Sequence, residues 1–200
     1  MKNITIKLLL TSLLAVFSFA NLAQAEMVLK ASHQWPGGKG DIRDEMVQMI
    51  ARDINGANLG LKIQVYPGKS LYKPKEQWGA IAKGKLDITA FPLAYAGGRH
   101  PEFNLTLKPG LVKNHDHATR LNSSPFMQRV KKIMDDAGVM VLADTWLAGG
   151  FVSKGECILE PSDVKGKKFR AAGKAFNQML DAAGATITSM PSSEIYSGLQ

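Results

Sequence analysis

Arg170 ends a short run, Lys167-Lys168-Phe169-Arg170, directly before Ala171-Ala172-Gly173. A guanidinium at a strand end can face a crevice and grip a planar carboxylate through two parallel hydrogen bonds. The same residue also reads as a surface arginine beside two lysines, and spacing does not separate these readings. The aromatics Trp35, Phe91, Tyr95, Trp146 and Phe151 fall at or after the ends of expected strands. Aromatic side chains at such ends line a ligand crevice or fill the core. Arg170, Trp35, Tyr95, Trp146 and Phe91 are the candidate ligand-binding residues. Gly150, in the crossing between the two halves of the chain, completes the set.

Other chemistry finds little support. Gly38-Lys39-Gly40 lacks the third glycine of a dinucleotide loop, and Gly68-Lys69-Ser70 has Ile63 where a phosphate loop needs its first glycine. Ser70-Leu71-Tyr72-Lys73 has the spacing of a penicillin-interacting serine without the partner lysine-threonine-glycine, and no Gly-x-Ser-x-Gly elbow is present. His115-Asp116-His117 offers two metal donors without further ligands at a fitting spacing, and reads better as a helix start capped by Asp116. The single cysteine, Cys157, reads as a small buried hydrophobe and excludes an internal disulfide. No enzyme activity, cofactor or metal is therefore expected.

Alternating elements must position these residues. Met27–Ser32 is a short apolar strand followed by the glycine-rich loop 33–40. Ile42, Met46, Met49, Ile50 and Ile54 share one helical face, with Asp41 as N-cap and Gly56 as stop. Leu61, Ile63 and Val65 alternate with polar neighbours in a strand ended by Pro67-Gly68. A short helix over 74–83 and a strand over 86–91 follow. Crossovers of this length hold helices, so the sheet is expected to be parallel, with ligands beyond the C-terminal ends of its strands. After an irregular stretch over 93–115, the periodicity predicts a helix over 116–137, kinked or divided by Pro125, and a buried strand over 139–143. Composition changes near Gly149. From there a strand over 167–171, a helix around Phe176 and Leu180, a strand over 185–189 and a final helix after Pro191 form a second, smaller unit. The expected domains are a first α/β lobe over 26–148 and a partial second lobe over 149–200.

Before these lies a leader. Lys2 and Lys7 precede an uncharged apolar run over 8–20, and Ala23-Gln24-Ala25 follows as a small-x-small cleavage site. This pattern predicts a secretory signal over 1–25, too short to span a bilayer comfortably. The chain has 200 residues, 45% of them hydrophobic, and a formal charge of +8 from 25 Lys and Arg against 17 Asp and Glu. An exported basic protein meets small anions rather than nucleic acid, so no nucleic-acid partner is expected.

The whole pattern resembles the periplasmic solute-binding subunit of tripartite ATP-independent periplasmic (TRAP) transporters, the DctP-like family. The resemblance rests on His33-Gln34-Trp35 with its glycine loop, Val65-Tyr66-Pro67-Gly68, Gly84-Lys85-Leu86-Asp87-Ile88 and Asp163 to Arg170. Most specific is Met190-Pro191-Ser192-Ser193-Glu194-Ile195-Tyr196-Ser197-Gly198-Leu199-Gln200, with Gly198 where the family usually has alanine. It implies a two-lobed periplasmic-binding-protein-like fold, with Arg170 as the carboxylate clamp. It also implies a monomer that hands a small organic acid to the membrane permease subunits of a TRAP transporter. An exported sensor component for the same ligands is the alternative. The family usually continues past this glutamine and returns into the first lobe. The resemblance therefore implies a C-terminally truncated chain with an incomplete second lobe, poorly stable alone, with Ile187, Ile195 and Leu199 exposed or covered only by non-native neighbours.

Overall fold

The computed structural model describes residues 26–200, so the expected leader lies outside the described residues. Three strands, β1 (Met27–His33), β2 (Leu61–Tyr66) and β3 (Ile88–Ala90), form a parallel sheet in the order β2-β1-β3. β1 pairs Met27 to Ser32 with Leu61 to Tyr66 on one side and Ala31 to His33 with Ile88 to Ala90 on the other. The helix α1 (Ile42–Gly56) joins β1 to β2, and the short α2 (Gln77–Ile81) precedes β3. Asp41 caps α1 as expected, its carboxylate accepting the N–H of Arg43 at 3.0 Å.

Alternation in the strands divides the core into two layers. Leu29, Ala31, Ile63 and Val65 meet Val47, Ala51 and Ile54 of α1. The second layer centres on Trp78 of α2, packed edge-on against Phe103 at 5.2 Å. β2 is an edge strand, and Asn55 of α1 covers its free side at Ile63. The amide nitrogen of Asn55 donates to Ile63 O at 3.1 Å, and its oxygen accepts the Ile63 N–H at 2.6 Å.

The stretch expected to be irregular contains two 3₁₀ segments, Leu93–Ala96 and Pro101–Leu107. The long helix is divided at Pro125 into α3 (His115–Asn122) and α4 (Pro125–Asp136), the latter capped by Ser124. Asn114, not Asp116, caps α3, by accepting the His117 N–H at 2.8 Å. Ala118 and Leu121 of α3 are buried, and Val130 and Met134 of α4 join the Trp78 layer.

Residues 139–143, expected as a strand, are extended but pair with no strand among the described residues. Their alternation is nonetheless that of a half-buried strand. Val139 and Val141 pack on the Trp78 layer, whereas Met140 and Leu142 are 76% and 70% exposed. Side chains pin the segment instead: Asp144 pairs with Lys131 at 2.6 Å, and the Trp146 indole N–H donates to Asn122 Oδ1 at 2.7 Å. Cys157, expected as a small buried hydrophobe, is instead exposed in this stretch without regular structure.

The second sheet pairs β4 (Lys168–Arg170) with β5 (Thr186–Thr188) in parallel, joined by α5 (Lys174–Ala182). Val164, Ala171, Leu180 and Ala185 form its buried core, with Phe169, Phe176 and Ile187 packed against it. α6 (Ile195–Leu199) ends the chain, with Ile195 half-buried and Leu199 exposed.

Candidate functional site

In the order β2-β1-β3, β1 and β3 are parallel neighbours, so the loops that leave them start side by side at the C-terminal end of the sheet. The C-terminal ends of adjacent parallel strands are where open α/β sheets bind ligands. Two loops emerge there, residues 34–40 after β1 and 91–98 after β3. The second sheet meets this edge through Arg170, which stands at the C-terminal end of β4.

Arg170 is half-buried and fixed at two points. Its Nε donates to Met190 O at 2.9 Å, and its Nη2 donates to the Tyr95 hydroxyl at 3.1 Å. The same hydroxyl accepts the Ser192 N–H at 2.9 Å. Tyr95 therefore joins the first sheet's loop to both β4 and the turn that follows β5. Among the described residues no carboxylate pairs with Arg170. Three of its five N–H donors are left for another acceptor.

Further contacts draw the two sheets together. Gly173, at φ +94°, lies against Ala94: a Cβ at 173 would come within 2.6 Å of the Ala94 Cβ. Asn104 donates to Gly97 O at 3.0 Å and accepts the Lys174 N–H at 3.4 Å. Lys69 Nζ reaches Glu194 at 4.0 Å. Between these units runs a groove of about 400 Å³ that touches Tyr95, Asn104, Ala171, Gly173, Asn177 and Met190. A second groove of about 440 Å³ shares Tyr95 and runs past Tyr72, Trp78 and Arg99.

Of the residues proposed from sequence, Tyr95 and Arg170 touch. Tyr95 lines both grooves, whereas Arg170, beside its neighbours Ala171 and Met190, and the other four line neither. Trp35 is half-buried, its ring 5.5 Å from that of His33 and 5.2 Å from the Arg43 guanidinium. Phe91 packs into the Trp78 layer, 6.2 Å from that ring. Trp146 is held on α3 by Asn122, and Gly150 is exposed in the extended segment.

Sequence reasoning passed over three polar residues beside Trp35. His33, Gln34 and Asp44 are 0%, 1% and 1% exposed. His33 Nε2 lies 3.0 Å from Asp44 Oδ1, a close contact whose N–H is imperfectly aligned on that oxygen. Neither amide atom of Gln34 has a hydrogen-bond partner among the described residues, nor has the Trp35 indole N–H. Burial holds the His33 imidazole below its ordinary pKa, although the Asp44 carboxylate pulls the other way. The signal was in the sequence as polar residues at the end of an apolar strand and on the first turn of the next helix.

A sequence profile of the family described as bacterial extracellular solute-binding protein, family 7 (DctP), matches residues 32–200. A solute-binding protein from Albidiferax ferrireducens is 39% identical over 176 residues, covering 86% of this chain and 52% of the relative. The C4-dicarboxylate-binding periplasmic protein DctP of Vibrio cholerae is 29% identical, with 96% and 59% covered. Among solved structures, a TRAP periplasmic solute-binding protein from Rhodoferax ferrireducens with bound malonate superimposes with a TM-score of 0.82 at 38% identity. That match covers 85% of this chain and 55% of the other. One from Sulfurospirillum deleyianum with bound succinate gives 0.75 at 25% identity, covering 88% and 57%. The chain thus spans about half the length of the relatives it matches. With its two parallel sheets, it belongs to family 7 of the bacterial extracellular solute-binding proteins, the DctP family.

Proposed function

We propose that this chain carries the carboxylate-gripping part of an exported receptor, which captures a small organic acid for uptake by a TRAP transporter. One observation carries the reading: Arg170 is a half-buried guanidinium without a carboxylate partner among the described residues, aimed by Tyr95 and Met190 O at the junction of two sheets. A partly desolvated cation with free donors favours an anionic ligand. The malonate and succinate bound to two of its structural neighbours supply the ligand class.

In this reading Arg170 binds the ligand carboxylate and Tyr95 orients Arg170. The loop after β1, with Gln34 and Trp35, presents polar and aromatic contacts from the other side. Phe91 supports the Tyr95 loop from below, and Trp146 and Gly150 belong to the crossing between lobes divided at residues 148 and 149. The protein is a monomer and not an enzyme. It is exported by a cleavable leader over 1–25, and its partners are the ligand and the membrane permease subunits. Calorimetry with malonate and succinate on full-length protein tests the reading. Arg170→Ala should weaken binding by about thirtyfold to several thousandfold, and Arg170→Lys should recover part of the loss. Unchanged affinity in both variants would reject it.

A further inference from the structure

We infer that the buried His33–Asp44 pair is a positioning device that fixes the loop 34–40 at the crevice; its consequence for affinity rests on the carboxylate-receptor reading. His33 ends β1 and Asp44 lies on the first turn of α1, so the pair ties the two elements that the loop connects. His33 Nδ1 accepts the Trp35 N–H at 3.2 Å, which leaves the ring proton on Nε2, facing Asp44 Oδ1 at 3.0 Å. The other Asp44 oxygen accepts the Gly38 N–H at 2.9 Å, and Gln48 donates to Oδ1 at 3.1 Å. Backbone amides at both ends of the tight part of the loop are therefore held by one histidine–aspartate unit.

The opposite side of the loop is fixed by the turn after β2. Trp35 O accepts the Gly68 N–H at 2.7 Å, and His33 O accepts the Lys69 N–H at 3.0 Å. Gly37 presses on Pro67, whose ring carbons would lie 2.5 and 2.8 Å from a Cβ at 37. What this brace holds is the Gln34 amide and Trp35 indole, unpartnered among the described residues. Buried polar groups without partners are costly. A loop left free to move would turn them to water, and the brace keeps them in place.

The neutral imidazole is part of the device. A second ring proton, on Nδ1, would face the Trp35 N–H, donor against donor. The charged groups around the ring are Asp44 on α1 and Asp41 at its N-cap; Arg43 is engaged by Asp41 at 2.6 Å and lies over Trp35.

The test uses full-length protein, with amide hydrogen exchange in the absence of ligand and titration with malonate and succinate. The Trp35 and Gly38 amides should exchange slowly in the wild type and lose protection together in Asp44→Ala. His33→Phe should lose Trp35 protection and bind about tenfold to a hundredfold more weakly. His33→Asn, which offers an oxygen near the place of Nδ1, should restore most of both. Freely exchanging Trp35 and Gly38 amides in the wild type would overturn the proposal even if every variant failed to fold. So would a folded His33→Phe protein with wild-type affinity. Protected amides in a protein that binds neither acid would uphold the brace and count against the carboxylate reading instead.

Discussion

At the residue scale, the Tyr95 hydroxyl is the meeting point of the site. It accepts one N–H from the Arg170 guanidinium and one from the Ser192 backbone. Tyr95→Phe removes this acceptor, strands both donors and frees Arg170 to swing. Leaving buried donors unpaired costs about 1–3 kcal/mol, so carboxylate affinity should fall by about fivefold to a hundredfold while the fold persists. Calorimetry on the variant measures it, and full affinity would mean that Arg170 is held well enough by Met190 O alone. Arg170 was legible in the sequence as a candidate because it ends a strand. Its contact with Tyr95, 75 residues away, was not, because tertiary packing alone creates that pair. The same limit explains Trp35, Phe91 and Trp146. Each stands where a strand end was expected, but the position of a residue along the chain does not fix the direction of its ring. Phe91 found the Trp78 layer, and Trp146 found Asn122.

At the element scale, most helices and paired strands follow from periodicity and caps. α1 begins after Asp41 and the long helix breaks at Pro125, both for local reasons visible in the residues. The strand expected over 139–143 shows where local reasoning stops. Alternation reports a half-buried extended chain, and only a neighbouring chain makes it a strand. Two predictions belong to this scale. Gly173→Ala places a Cβ against Ala94 in a left-handed backbone conformation. It should destabilise the protein by about 1–3 kcal/mol, seen as a lower denaturation midpoint. Ala94→Gly in the same chain should recover the steric part but not the backbone part. No loss in Gly173→Ala would show that the two sheets do not approach as described. The second concerns His33 at the end of β1. Its pKa is lowered in the fold by burial, so the unfolded chain binds the extra proton first as pH falls. Its contribution to stability should be complete above about pH 6.5 and decline as pH drops below that toward the depressed native value, by at most about 1.4 kcal/mol per pH unit. Denaturant titrations of wild type and His33→Asn across this window measure it. The same slope in both proteins would assign the effect elsewhere.

At the scale of the whole molecule, two small parallel sheets are linked through one tyrosine on the loop after β3 and one arginine at the end of β4. In the proposed reading the first sheet supplies the crevice and the second supplies the cation; Gly173 lets the two come close. This division of labour suits ligand capture, since a cleft between two units can hold an anion from both sides. The charge of the ligand is then the quantity that matters. The most direct measurement is calorimetric binding of malonate and succinate to full-length protein, set against their neutral diamides, which keep nearly the same shape. The proposed function predicts that the acids bind at least about a hundredfold more tightly than the amides, and that Arg170→Ala removes most of this difference. Equal affinity for acid and amide, or a preference for the acid that survives in Arg170→Ala, would contradict it.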